Sequence, residues 1–308
     1  METDWPIVAT RLALYADLGL LFGVPLFALY ALRGEERGQL LPFRLIVGTL
    51  AAVGAILSLL GFASMAASMT GTGLAGLDRG IMMMLISETA VGWAFVAREA
   101  ALILALAFCL RIPRKPVPFL VLASATGAVA VGTLAWSGHA AASEGTAAIV
   151  HLAGDIVHLL AASAWLGALA VLTGLMMMRR EPTAERVRIT HRALAGFATV
   201  GSILVALIIV TGVLNGLVLV GFDAFWLLGT TLYGQLLITK IALFAAMLWL
   251  AASHRFRLTP ALGAALEQDD AASAASTLRR SLVVETVLAF AILALVAWLG
   301  TLAPPISG

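Results

Sequence analysis

A single cysteine, Cys109, in 308 residues leaves no partner for an internal disulfide and excludes a CxxC redox or metal motif. Charge is also scarce: Asp, Glu, Lys and Arg make up 12% of the chain, against ~25% in soluble domains. The sequence has no Walker loop, no glycine-rich nucleotide fingerprint and no Gly-x-Ser-x-Gly elbow. Soluble-enzyme chemistry and direct use of ATP are therefore not expected, and the chain reads as a non-enzyme. A net charge of +2 gives no argument for a nucleic-acid partner. The N-terminus lacks a basic run before its first apolar block, and no clean small-residue cleavage site follows it. That block is expected to be retained.

What the chain has in excess is apolar surface. Hydrophobic residues reach 61%, more than a layered soluble core could bury, whereas a helical bundle in lipid has no need to bury it from water. Apolar blocks lie near residues 8–32, 41–65, 86–110, 117–136, 150–178, 193–220, 232–252 and 281–302. Each reaches the roughly 20 residues that cross a hydrocarbon layer ~30 Å thick. The expected fold is all-α, a polytopic bundle of eight transmembrane helices in a lipid bilayer. It forms one integral membrane domain over residues 1–308, with no soluble appendage longer than a loop.

The basic residues set the sidedness. Fifteen of the nineteen Lys and Arg fall in or beside the connections after spans one, three, five and seven. They are Arg33, Arg37 and Arg44; Arg111, Arg114 and Lys115; Arg179, Arg180, Arg186, Arg188 and Arg192; and Arg255, Arg257, Arg279 and Arg280. The intervening connections hold only Arg79. By the positive-inside rule both termini are expected in the periplasm. Trp5, Trp136, Trp226 and Trp298 then fall at outer boundaries, as an aromatic belt should. The outer segment 66–85, with Gly71, Gly73, Gly76 and Gly80, is expected to be flexible or re-entrant. The cytoplasmic connection 253–280, with Pro260 and the run Glu267-Gln268-Asp269-Asp270, reads as a solvated, partly helical linker.

Ionisable groups inside lipid are costly and face the bundle interior. Asp17, Arg98, Glu99 and Lys240 fall near mid-membrane, Asp155 and Glu88 nearer the outer face, and Glu285 near the inner one. Charge pairing is one reading of this network and a cation or proton path the other. Asp17, Glu99 or Glu88 is the expected partner of Lys240. On span five, His151, Asp155 and His158 stand at i, i+4 and i+7, on one face, with Trp165 continuing it inward. Two imidazoles flanking a carboxylate suit a borderline metal, with Asp155 a ligand or an orienting group. His139 closes span four, a short connection away. Met65, Met69, Met82, Met83 and Met84 flank the outer connection between spans two and three; thioethers select Cu(I), although Met also fills apolar bundles. Cys109 and Met176, Met177 and Met178 supply soft groups at the inner end.

Several stretches resemble a known family. Leu232-Tyr233-Gly234-Gln235-Leu236-Leu237 running to Lys240, then Met247 and Ala251-Ala252-Ser253-His254-Arg255, is similar to the signature of the CopD/PcoD copper-resistance membrane proteins. His158 to Gly167 resembles that family's span-five motif, Ser137-Gly138-His139-Ala140 its span-four ending, and Leu278 through Glu285 to Pro305 its last span. His254 stands where the family usually has Asn. The resemblance implies copper handling at the bacterial inner membrane, with copper moving from periplasm to cytoplasm after delivery by a small periplasmic carrier of the CopC type.

The expectation is thus a multi-pass copper transport protein whose copper ion, Cu(I) or Cu(II), meets His139, His151 and His158, with Asp155 orienting them and Met82, Met83 and Met84 at the way in. A membrane redox protein holding b-type haem is a rival; His151 and His158 share a helix and cannot ligate opposite faces of one haem, so only a His139–His158 pair is conceivable. A copper sensor or scaffold without transport is another.

Overall fold

The computed structural model describes residues 4–71, 76, 78–111, 115–137, 145–177, 184–220, 228–267 and 271–303. Every regular element among them is helical. In chain order these are α1 (Trp5–Ala31), α2 (Glu36–Gln39), α3 (Phe43–Thr70), α4 (Arg79–Glu88), α5 (Ala90–Arg111) and α6 (Pro116–Gly132), which tightens into a 3₁₀ turn over Thr133–Ser137. Then follow α7 (Gly145–Met177), α8 (Ala184–Val220), α9 (Leu232–Ser253), a π turn over His254–Leu258, α10 (Thr259–Glu267) and α11 (Ala271–Leu299). Eight of these helical runs are long and apolar enough to cross a membrane, one for each expected apolar block. The helices starting at Ala184 and Ala271 begin well before their apolar blocks, because their first turns carry Glu185, Arg186 and Arg188, or Arg279 and Arg280, which hydropathy does not score as span.

Trp5 and Trp298 meet with ring centroids 5.2 Å apart, so the start of the first span and the end of the last share one end of the bundle. The described Arg residues beside α2, the α5 C-terminus, the α8 N-terminus and the π turn mark the opposite, basic end. Direct contacts fasten that end. Arg44 donates to the Cys109 carbonyl at 2.9 Å and lies 4.8 Å over the Phe119 ring, joining α3, α5 and α6. The Cys109 thiol donates back to the Arg44 carbonyl at 3.7 Å, so the chain's one cysteine is engaged in helix packing. Arg192 Nη2 donates to both carboxylate oxygens of Glu36 at 2.5 and 2.6 Å, tying α8 to α2. Burial pushes the Glu36 carboxyl up, but the Arg33 N–H and the Arg192 guanidinium outweigh it and hold it below the ordinary carboxylate range.

Helix α1 is the hub, packed against α3, α6, α7 and α11. Its closest approach is to α7, where Gly19 faces Ser163 and Gly23 faces Gly167, small residues four apart on two parallel helices. A Cβ on Gly23 or Gly167 would overlap the other's backbone. Lipid offers no hydrophobic drive between helices, so backbone contact of this kind is what holds them. Leu18, Leu21, Phe27, Leu169, Leu172 and Met176 fill the core around it, while Ile203, Val210, Ile241 and Trp249 point outward as lipid-facing residues do.

Two connections differ from the sequence reading. Within 66–85, α3 runs on to Thr70 and residues 79–88 form a helix, which Asp78 caps by accepting from the Gly80 N–H at 3.2 Å, while residues 72–75 and 77 lie outside the described residues. The 253–280 linker is helical up to Glu267 and again from Ala271, and fully buried Leu262 and Leu278 pack it back onto the bundle.

Candidate functional site

The polar face expected on α7 is present and is turned toward α8. His158 Nδ1 lies 2.9 Å from the Thr211 hydroxyl, and that hydroxyl gives its one proton to the Leu207 carbonyl at 2.6 Å. The imidazole Nδ1–H is therefore the donor, which leaves the lone pair on Nε2. Gly212 lies against the ring: a Cβ there would stand 3.5 Å from His158 Cε1. One turn back on α7, the Asp155 carboxylate accepts from the Asn215 side-chain amide at 3.2 Å. Thr211 and Asn215 are four residues apart and match His158 and Asp155 in antiparallel register. The sequence reading overlooked this pair on α8; its signal was a Thr and an Asn one turn apart inside an apolar span.

Lys240 on α9 interacts electrostatically with Asp155 and with His158. This corrects the expected partnership with Asp17, Glu99 or Glu88. The helix order explains the difference: α9 packs in the C-terminal half, whereas Asp17 and Glu99 belong to a second cluster among α1, α3 and α5. There Arg98 Nε donates to Ser58 Oγ at 2.8 Å, Glu99 interacts with both Arg98 and Ser58, and buried Asp17 presses Oδ2 against Gly54, where a Cβ would stand 2.5 Å away. Glu88 is exposed at the end of α4 and stands apart from both clusters.

The remaining candidate ligands are dispersed. His151 is buried one turn beyond Asp155, and His139 lies outside the described residues. Met82 packs beside Phe62, Leu85 and Phe95, while Met83 and Met84 are exposed. At the basic end Met176 is fully buried and Met177 exposed, and Met178 lies outside the described residues. Among the described residues no group of three or more His, Cys, Asp or Glu is gathered to hold a metal ion.

A third polar group lies toward the basic end. Trp165 Nε1 donates to Glu285 Oε1 at 3.1 Å, and His254 stands against the other oxygen of the same carboxylate. The sequence placed Glu285 in the inner half and Trp165 on the inward face of α7, but their meeting with His254 needed the packing of α7, α9 and α11. These three residues back a cavity of about 630 Å³, walled by Leu169, Leu194, Phe197, Val205 and Leu248 and bordered by His191 and Arg255.

Comparison with known proteins places this architecture. A family model described as copper resistance protein D-like, N-terminal domain, matches residues 1–149, and one described as copper resistance protein D matches residues 191–299. The chain is 40% identical over 304 residues to copper resistance protein D of Pseudomonas syringae pv. tomato, covering 96% of each. It is 26% identical over 253 residues to inner membrane protein YebZ of Escherichia coli strain K12, covering 82% of this chain and 84% of that one. It is 32% identical over 260 residues to copper transport protein CutJ of Bacillus subtilis strain 168, covering 82% of this chain and 46% of that protein. No solved structure matches the chain at a significant level.

Proposed function

The chain belongs to the copper resistance protein D family, and from that premise we propose that it carries copper across the bacterial inner membrane, from periplasm to cytoplasm. The names of two relatives, one for copper resistance and one for copper transport, support the cargo. The clustering of basic residues at one end supports the orientation, with that end cytoplasmic and both termini periplasmic.

The observation that carries the reading is His158. Its Nδ1–H is committed to Thr211, so its Nε2 lone pair is held ready inside the membrane beside Asp155. Fixing one ring nitrogen by a hydrogen bond so that the other can bind is how metal-ligating histidines are oriented. In this reading the acceptor site is His158 and Asp155, with His151 and His139 on the approach from the periplasm. A carrier of the CopC type delivers the ion at the end where Met82, Met83 and Met84 lie. Imidazole accepts either copper oxidation state. Lys240 balances the Asp155 carboxylate while no ion is present and is relieved of that role when copper arrives.

Cells expressing the wild-type chain should accumulate more copper than cells with an empty vector, and the His158→Ala variant, at equal membrane abundance, should lose that gain. Equal accumulation by the variant would remove His158 from the path.

A further inference from the structure

We propose that His254 and Glu285 form a second copper station at the basic end of the bundle, from which the ion enters the 630 Å³ cavity and leaves the membrane. The inference rests on the copper reading above.

The backbone prepares the site. Helix α9 continues past Ser253 as a π turn over His254–Leu258. Such turns insert a residue, re-aim the side chains that follow and recur at functional sites. Here the turn buries His254 to 5% exposure while Arg255, Phe256 and Arg257 face outward.

The side-chain geometry then points to a cation. Glu285 is 1% exposed, and its Oε1 is satisfied by Trp165. Its Oε2 lies 3.0 Å from His254 Nδ1 yet accepts no aligned hydrogen bond and is left without a donor. His254 Nε2 lies 2.7 Å from Ser281 Oγ, a contact that places the ring proton on Nε2 when the serine accepts. In that tautomer an imidazole lone pair and a carboxylate oxygen face each other at 3.0 Å inside the membrane. Two ligand atoms each ~2.0–2.1 Å from one ion, at a right angle, stand about 3 Å apart. The pair is spaced to grip a cation between them, with water from the cavity completing the shell. A nitrogen–oxygen set suits Cu(II) among copper states. Glu285 supplies the negative charge. Of the other titratable groups bordering the cavity, His191 lies on its wall from α8, and Arg255 stands at the mouth, donating to Ser202 Oγ at 2.6 Å. A departing ion therefore has an imidazole beyond the pair and a fixed cation on one side of the exit.

The test is Cu(II) binding to purified full-length protein in detergent, read by stoichiometry after dialysis and by electron paramagnetic resonance. Wild type should hold one more Cu(II) than either His254→Asn or Glu285→Gln, whose affinity at this station falls about ten-fold or more. His158→Ala should keep a Cu(II) signal with nitrogen coupling from one imidazole. That arm does not depend on either inner variant folding. If His158→Ala loses an ion but shows no residual nitrogen-coupled signal, or if the two inner variants bind as wild type does, the second station is overturned and the outer site stands. If His158→Ala also binds as wild type does, the outer site falls separately.

Discussion

One hydroxyl proton decides what His158 can do. Because Thr211 spends its hydrogen on the Leu207 carbonyl, it accepts from Nδ1 and fixes the tautomer that presents Nε2. Thr211→Val keeps the volume and removes the acceptor, so copper affinity should fall by about 10–100-fold without loss of the ligand itself. His158→Ala should cost more than this. Competition titration with a copper chelator separates the two, and an unchanged Thr211→Val affinity would show that the hydroxyl does not orient the ring. Lys240 gives a second test at this scale. Lys240→Met leaves Asp155 without its balancing charge and should lower the melting temperature of the detergent-solubilised protein. Adding Asp155→Asn should recover part of that loss, whereas Asp17→Asn should recover none. At the residue level the sequence marked the ionisable groups that are costly to place in lipid. It did not reveal their partners: Lys240 with Asp155, and Glu285 with His254, meet across helices whose relative rotation no periodicity encodes.

At the level of elements, the α1–α7 crossing is the joint on which the bundle turns. Gly23 and Gly167 touch backbone to backbone, so Gly167→Val introduces a side chain where no space exists and should destabilise by at least the ~1–3 kcal/mol typical of overpacking. A thermal melt in detergent reads this, and an unchanged melt would show that the helices can part there at no cost. The sequence reading passed over Gly19 and Gly23, four apart on a span, and nothing in one chain says which helix such a pair meets. The α2–α8 tie at the basic end behaves differently because it is partly solvated. Glu36 is held below its ordinary range, so its contribution is complete above the unfolded carboxylate value near ~4.3 and is lost as pH falls through the lower folded value. Glu36→Gln should therefore melt slightly below wild type at neutral pH, by no more than the ~1 kcal/mol of a surface pair, with the difference vanishing in strong acid. A difference that persists there would assign the loss to packing and not to charge.

Over the whole molecule, the eight spans and the meeting of the start of the first with the end of the last at one end were legible in the sequence because lipid leaves the backbone few options. The candidate site was legible as a face of α7 but not as a constellation, since its other half comes from Thr211, Asn215 and Lys240 on two later helices. The polar groups form a descending series along α7, from His151 through Asp155 and His158 to Trp165 and the Glu285–His254 pair. That series is the physical basis for proposing a path through the bundle.

The most direct measurement of that proposal is copper flux into sealed liposomes containing only the purified chain, with His158→Ala reconstituted at the same density. Copper trapped inside the wild-type vesicles should rise well above protein-free liposomes, and the variant should fall to their level. Wild-type vesicles that bind copper on their surface but trap none would contradict transport.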